Sequence, residues 1–131
     1  MKEMNYGSKR KKEVLDTGTC FGLFYWILNL GTYPTAYVKI PESHKYWLKD
    51  YSDIDIEVHG GLTYSKDYLN ISENQKIEGW FIGWDYAHFG DYVGYEEHVP
   101  SRYRTGGKKW TTEEIQKEVY DVCYQLKNIE D

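Results

Sequence analysis

The segment TTEEIQKEVYDVCYQL (residues 111–126) decides the fold class, because it predicts an amphipathic helix that needs an apolar surface to cover. It opens with Thr111-x-x-Glu114, the capping-box pattern in which each side chain bonds the other residue's backbone N–H. Apolar residues then repeat at helical spacing, at Ile115, Val119, Val122 and Leu126. We therefore expect one face of this helix to lie against a larger element upstream.

That upstream element is predicted to be a β-sheet. Residues 21–30 (FGLFYWILNL) are rich in Phe, Tyr, Trp and Ile, which favours a strand over a short helix. After the turn signal GTYP, residues 36–40 predict a second strand that Pro41 stops, because proline has no N–H to donate to a ladder. The run WFIGWDY (residues 80–86) predicts another strand. The sequence thus predicts an α+β fold, a small and mostly antiparallel sheet with one C-terminal amphipathic helix packed on a face.

Three further stretches lie between these elements. Residues 54–59 (IDIEVH) alternate apolar and polar side chains, which is the period of a half-buried strand with one wet face. This register places His59 on the same face as Asp55 and Glu57. Residues 65–79 are polar and predict a connection, whereas the glycine-rich residues 88–109 predict a long irregular loop of the kind that often carries function.

The length and composition indicate a single globular domain, residues 1–131. Hydrophobic residues make up 40% of the chain and charged residues 28%, while residues 1–19 are polar and predict a lead-in to the domain. Cys20 and Cys123 stand outside any disulfide or metal motif, so we expect reduced thiols in a cytoplasmic protein. The apolar stretch CFGLFYWILNL lacks a signal-peptide cleavage site and is too short to span a bilayer, so no membrane partner is expected.

The net charge of -5 and the isoelectric point of about 5.4 argue against general nucleic-acid binding, which usually needs a basic surface. The dense basic run at residues 9–12 is interpreted as a solvated arm. The 14 tyrosines are more than a core of this size can hide, and exposed tyrosines are suited to stacking against bases, sugars or a protein partner.

A first candidate site segment follows the predicted strand of residues 54–58. His59 and the pair Gly60-Gly61 come first, and Thr63 and Tyr64 add two hydroxyl groups. Adjacent glycines allow a positive φ and a close approach to the backbone, and their N–H groups can form an anion-binding concavity. The alternative is a tight bend, which glycine pairs also produce.

A second candidate segment ends the strand of residues 80–86. It offers Trp84 as a stacking ring and Asp85, His88 and Asp91 as polar groups, and we expect it to share one site with the first segment. With His59, the aspartates and His88 also form a set of ligand types that can hold a divalent metal and activate water. Alternatively, Asp85 caps a turn while the other two residues brace the loop.

The third candidate is the cationic segment SRYRTGGKK (residues 101–109). Arg102 and Arg104 flank a glycine pair, so this loop is able to close over a phosphate with paired hydrogen bonds. The alternative is an ordinary solvated loop.

Several segments together resemble a family of small, largely uncharacterised proteins encoded in phages and prophages of Gram-positive bacteria. They are YPTAYVKIPESHKYW, IDIEVHGGLTYS and WFIGWDYAHFGD, closed by GKKWTTEEI and a helix. The likeness covers residues 21–126 and is most specific at the H-G-G-L-T and W-D-x-A-H-x-G-D segments. The resemblance implies a viral context, in which small accessory proteins often block host defences.

The leading functional hypothesis is a phage accessory protein that binds a small anionic, nucleotide-like host signal, without catalysis and without a cofactor. In that hypothesis the first segment forms one wall of the site, the second forms another, and the two arginines form a lid. One alternative is a metal-dependent hydrolase that uses His59, Asp85, His88 and Asp91. Another is an acidic inhibitor that docks onto a host defence protein, and the sequence leaves homo-oligomerisation open.

Overall fold

The computed structural model describes residues 12–30, 33–87, 108 and 110–129. The strands are β1 (Glu13–Cys20), β2 (Leu23–Asn29), β3 (Pro34–Ile40), β4 (Tyr64–Ser72) and β5 (Gln75–Asp85), and the helix α1 (Thr112–Lys127) follows. Within the described ranges the five strands form one antiparallel sheet in the order β1-β2-β3-β5-β4. The predicted α+β class, with its antiparallel sheet and C-terminal helix, is confirmed.

Helix α1 begins at the predicted capping box. Thr111 Oγ1 accepts from the Glu114 N–H at 3.1 Å, and Glu114 Oε1 accepts from the Thr111 N–H at 3.0 Å, so both N–H groups are satisfied. The apolar stripe predicted from the spacing is buried against β1, β2 and β3. In the described part of the chain, no helix combines the length and apolarity needed to cross a membrane.

The core on the helix side, which we call the outer cluster, joins the stripe of α1 to one face of the sheet. Its strand residues alternate in sequence, as the period of two requires. They are Leu15 of β1, Leu23, Tyr25 and Ile27 of β2, Ala36, Val38 and Ile40 of β3, and Ile82 and Trp84 of β5.

The other face of the sheet is also a core, because the sheet curls. In a flat sheet the edge strands β1 and β4 would lie about 19 Å apart, at the usual strand spacing. Instead they contact each other, and Lys12 Nζ donates to the Asn70 carbonyl at 3.2 Å. The curl encloses an inner cluster of buried side chains, Leu28, Tyr37, Leu69 and Phe81, with further side chains of β1 and β4 packed around it. The fold is therefore a half-closed barrel with α1 on its outer surface.

The segment IDIEV differs from the sequence prediction. Ile54 and Ile56 are buried and Asp55 and Glu57 are exposed, so the alternation holds, but the segment is extended and pairs with no strand in the described part of the chain. The side-chain amide of Gln125 on α1 takes the place of a neighbouring strand: it accepts from the Glu57 N–H at 2.9 Å and donates to the Glu57 carbonyl at 2.8 Å. The alternation predicted which side chains are buried, and the backbone partner came from the helix.

Two other sequence predictions are corrected. Residues 65–79, predicted as a connection, instead form most of β4 and the start of β5, joined by a turn at residues 73–74. Strand β4 is an edge strand in which Leu69 alone is fully buried, so it lacks the apolar alternation of a half-buried strand. Residues 13–19, predicted as part of the lead-in, belong to β1, which forms the opposite edge.

Candidate functional site

The two segments predicted to share a site do meet. Thr63 Oγ1 donates to Asp85 Oδ2 at 3.1 Å, and the Thr63 N–H donates to the Gly83 carbonyl at 2.9 Å. The His59 ring lies parallel to the Tyr86 ring, with centroids 5.0 Å apart and an interplanar angle of 8°. We call this region the histidine corner, formed by His59, Thr63, Asp85, Tyr86 and Trp110.

The glycine pair is explained by a turn. The Gly61 N–H donates to the Val58 carbonyl at 2.9 Å, which closes a four-residue turn through His59 and Gly60. Gly60 has φ +69° and Gly61 has φ +82°, conformations that side-chain-bearing residues rarely adopt. The structure therefore gives these glycines the tight-bend role that the sequence left as the alternative.

The rings of the histidine corner pack on one another. Trp110 lies 4.8 Å from the His59 ring and 5.0 Å from the Tyr86 ring, measured between centroids. Lys108 Nζ sits 3.9 Å from the centroid of the Trp110 ring and pairs with the Glu114 carboxylate at 2.9 Å. A cation over an aromatic face is favourable, so this lysine and the helix start stabilise the corner from outside.

Trp84, predicted as a wall of the ligand site, is a core residue. It is 1% exposed in the outer cluster, and its indole N–H donates to the Tyr86 hydroxyl at 3.0 Å. The Tyr86 hydroxyl in turn donates to the Glu118 carboxylate of α1. Trp84 therefore ties β5 to the helix, and its ring has no open face for stacking.

Asp85 and Tyr64 have different surroundings from those expected of two walls of one site. The Asp85 carboxylate accepts from Thr63 through Oδ2 and from the Ala87 N–H through Oδ1 at 3.1 Å, which is the turn-capping role weighed in the sequence analysis. Tyr64 packs against the inner cluster, edge-on to Tyr37 at 5.0 Å, and its hydroxyl donates to the Tyr68 carbonyl. Neighbouring residues of a strand point to opposite faces, so Tyr64 turns away from the corner.

The remaining predicted site residues lie outside the described residues: His88, Asp91, Arg102 and Arg104. Among the residues that the structure does describe, no three His, Cys, Asp or Glu side chains group in a way that would hold a metal ion. Of the four metal ligands considered, the described part contains His59, whose ring stacks on Tyr86, and Asp85, whose carboxylate accepts from Thr63 and from the Ala87 N–H.

A cleft that sequence reasoning missed lies at the opposite end of β3, and we call it the end cleft. The histidine corner is at the end where Asp85 pairs with Thr35, whereas the end cleft is beside Lys39 and Ile40. Its volume is about 790 Å³. The aromatic residues that line it come from four separate segments: Phe24, Trp47, Tyr68 and Trp80.

One wall of the end cleft is the loop of residues 41–49, which side chains hold in place. His44 Nδ1 accepts from the Tyr46 N–H at 2.9 Å, so the ring proton is on Nε2, which donates to the Leu126 carbonyl of α1 at 2.9 Å. The Trp80 indole N–H donates to the Lys49 carbonyl at 3.0 Å. These bonds present Leu48, which is 55% exposed at φ +64°, at the cleft.

The charges of the end cleft are mixed. The Lys39 chain crosses Gly79, where an added Cβ would come within 2.5 Å of Lys39 Cε, and Lys76 Nζ lies 5.5 Å from the centroid of the Tyr68 ring. Three carboxylates also line the cleft, those of Glu42, Asp67 and Glu78. The ammonium groups suit an anion, while the carboxylates are acceptors for hydroxyl or amino groups.

No protein-family model, curated protein or solved structure matches the chain. The assignment of a site therefore rests on geometry. The sequence signal that pointed toward the end cleft was the excess of aromatic residues, and Phe24, 54% exposed, is one of them. The aromatic excess did not show where in the fold the cleft lies, because the lining residues are scattered from residue 22 to residue 80.

Proposed function

We propose that the protein is a non-catalytic binding protein that captures a small, ring-bearing anion of the nucleotide type in the end cleft. The observation that carries this proposal is the combination, in one cleft of about 790 Å³, of aromatic side chains with the ammonium groups of Lys39 and Lys76. Pockets of roughly 300–1,000 Å³ are typical of sites for ligands of this size.

Each class of lining residue has a counterpart in such a ligand. The exposed ring of Phe24 and the ring of Tyr68 supply faces on which a base can stack. The two lysines attract phosphate as point charges. The carboxylates accept hydrogen bonds from ribose hydroxyls or exocyclic amines, and this argues for a ligand with donors as well as negative charge.

The proposal is one of recognition without catalysis. Histidine, cysteine, serine and threonine are absent from the described residues that line the end cleft. These are the residue types that most often supply a nucleophile or a general base near neutral pH. A role in countering host defence belongs to the same proposal and rests on the phage-family resemblance, which selects cyclic dinucleotides and ADP-ribose derivatives as the first ligands to test.

Isothermal titration calorimetry of the full chain against cyclic dinucleotides, ADP-ribose derivatives and mononucleotides tests the proposal. We expect one-site binding of at least one compound, weakened about 10–100-fold by the double substitution Lys39→Met and Lys76→Met, at about 1.4 kcal/mol for each tenfold. The methionines keep the apolar stems and remove both charges.

The matched control is Lys66→Met, a lysine of β4 whose ammonium lies 5.6 Å from the Tyr68 ring centroid but which does not line the cleft. The Lys66→Met variant should bind the same compound as tightly as the unchanged protein does. Absence of heat with every compound would refute the proposal. Weakening by His59→Ala with no effect of the lysine pair would move the ligand to the histidine corner.

A further inference from the structure

The solvent-facing side of α1 carries a second regular row of side chains, which we call the tyrosine stripe. Its five exposed members follow one another in steps of four and three residues: Glu113, Lys117, Tyr120, Tyr124 and Lys127. Such steps place side chains in one row along a helix. The row faces away from the buried apolar stripe of α1, so it is a surface that a second helix is able to cover.

The centre of the tyrosine stripe is aromatic and ordered. Tyr120 is 56% exposed and Tyr124 is 54% exposed. The Phe21 ring, from the turn between β1 and β2, packs against both, with centroids 4.9 Å from Tyr120 and 5.7 Å from Tyr124. Lys127 Nζ lies 5.1 Å from the centroid of the Phe21 ring. Phe21 therefore positions two rings that remain open to solvent, and aromatic rings of this kind are enriched at protein interfaces.

The charges of the stripe are complementary to those of a second, antiparallel copy. Glu113 and Lys127 are equally distant from Tyr120 along the chain, at opposite ends of the stripe. A two-fold axis at Tyr120 brings Glu113 of each copy to Lys127 of the other, and it brings Lys117 toward the Tyr124 ring of the other. A parallel arrangement would instead oppose like charges, Glu113 to Glu113 and Lys127 to Lys127, which is unfavourable.

We propose that two copies of the chain associate through their tyrosine stripes as an antiparallel, two-fold symmetric dimer. The contact is small, because a helix row about 21 Å long and about 10 Å wide covers less than the roughly 800 Å² that each partner of a stable complex buries. The net charge of -5 on each chain also opposes association. The dimer is therefore reversible and forms only in concentrated solution.

Analytical ultracentrifugation of the full chain between about 5 and about 500 µM, the range suited to a weak interface, tests the proposal. We expect the average mass to rise with concentration from 15.6 kDa toward twice that value. Glu113→Lys and Lys127→Glu should each weaken the dimer at least about tenfold, and the double variant should recover the original affinity within about threefold, because the ion pairs are restored in reverse.

The matched control is Asp53→Lys, at an exposed position of the turn Tyr51–Asp53. It changes the net charge of the chain by the same amount as Glu113→Lys but lies outside the tyrosine stripe. This variant should dimerise at least as tightly as the unchanged protein. Circular dichroism of each variant measures whether α1 is retained.

Cross-linking gives a readout on the unsubstituted protein. A carbodiimide joins a carboxylate directly to an amine, and Glu113 and Lys127 of one helix lie about 21 Å apart, at 1.5 Å per residue. A direct amide bond between these two residues therefore joins two copies, and we expect mass spectrometry to find it in the covalent dimer. A chain that stays monomeric at the highest concentration, a dimer cross-linked only at other residues, or a double variant no tighter than the single ones would each overturn the proposal.

Discussion

At the scale of single residues, Gly83 of β5 illustrates how closely the inner cluster is packed. The Tyr37 ring lies over this glycine, so that an added Cβ would stand 2.4 Å from Tyr37 Cδ1 and 2.8 Å from the Ala36 carbonyl oxygen. Real Cβ atoms do not approach other atoms so closely, and the carbonyl belongs to the neighbouring strand and cannot easily move. The glycine is needed here for space, since its backbone φ is not in the positive range.

We therefore expect Gly83→Ala to lower the free energy of unfolding by about 1–3 kcal/mol, the usual range for overpacking. Urea denaturation followed by circular dichroism measures the change. The matched control is Gly18→Ala in β1, where the added Cβ would meet Tyr25 at 3.4 Å, an acceptable contact. Equal costs at the two positions would show that the crowding at Gly83 is relieved by movement of Tyr37.

At the scale of elements, one side chain of α1 pairs with the backbone of the extended segment IDIEV. Gln125 both donates to and accepts from the backbone of Glu57, as a neighbouring strand would. The same amide donates to Asp121 Oδ2 at 2.9 Å within the helix. Replacing the amide by a carboxylate keeps the shape but removes every donor.

Gln125→Glu should therefore destabilise the protein by about 1 kcal/mol, because the Glu57 carbonyl loses its donor and meets a negative charge. Chemical denaturation of the variant gives the value. Asp121→Ala serves as the control, since it removes the helical partner of the amide and leaves both bonds to Glu57. A larger loss from Asp121→Ala than from Gln125→Glu would mean that the helix pair, and not the strand-like contact, carries the stabilisation.

The N-terminus of α1 contributes to the stability of the folded state in a pH-dependent way. The pKa of Glu114 is lowered from 4.5, first by its hydrogen bond with Lys108 and then by the backbone N–H of Thr111. A carboxyl group whose pKa is lower in the folded state than in the unfolded state stabilises the fold. This stabilisation is complete above the unfolded-state pKa and is lost as the pH falls through the folded-state pKa.

The difference in thermal midpoint between the unchanged protein and Glu114→Gln should thus be constant above about pH 5 and shrink as the pH falls further. Glu113→Gln, one residue earlier in the first turn, is a suitable comparison because its carboxylate does not take part in the capping box. A Glu114→Gln difference that persists unchanged in acid would assign the effect to neutral hydrogen bonding.

At the scale of the whole molecule, the curl of the sheet gives this small domain two cores. Phe81 belongs to the inner cluster and is 0% exposed, although α1 packs on the opposite face. Ile115 is its counterpart in the outer cluster beneath the helix. The inner cluster is enclosed because residues of both edge strands pack around it.

Phe81→Ala should lower the free energy of unfolding by about 3–5 kcal/mol, and Ile115→Ala by about 2–5 kcal/mol, as expected for cavities in two real cores. Equilibrium unfolding monitored by tryptophan fluorescence and circular dichroism compares the two. The exposed Phe24→Ala, which leaves both clusters intact, should cost under about 1 kcal/mol. A cost for Phe81→Ala no greater than that for Phe24→Ala would mean that the inner face is open to water in solution.

The helix and the α+β class could be predicted from the sequence alone. The capping box and the apolar stripe of α1 are local patterns, since each involves residues three or four positions apart. The same holds for the alternation of residues 54–58, which predicted burial correctly. These features depend on short-range chemistry that a single sequence displays directly.

Tertiary structure alone decided which partner each element found and where the open surface lies. The backbone of IDIEV pairs with Gln125, Trp84 and Tyr64 lie in the two cores, and the end cleft gathers residues from several segments. The polar strand β4 became recognisable through its pairing with β5 and its contact with β1. Contacts between distant residues depend on how the whole sheet twists and curls, and no local period in the sequence records that geometry.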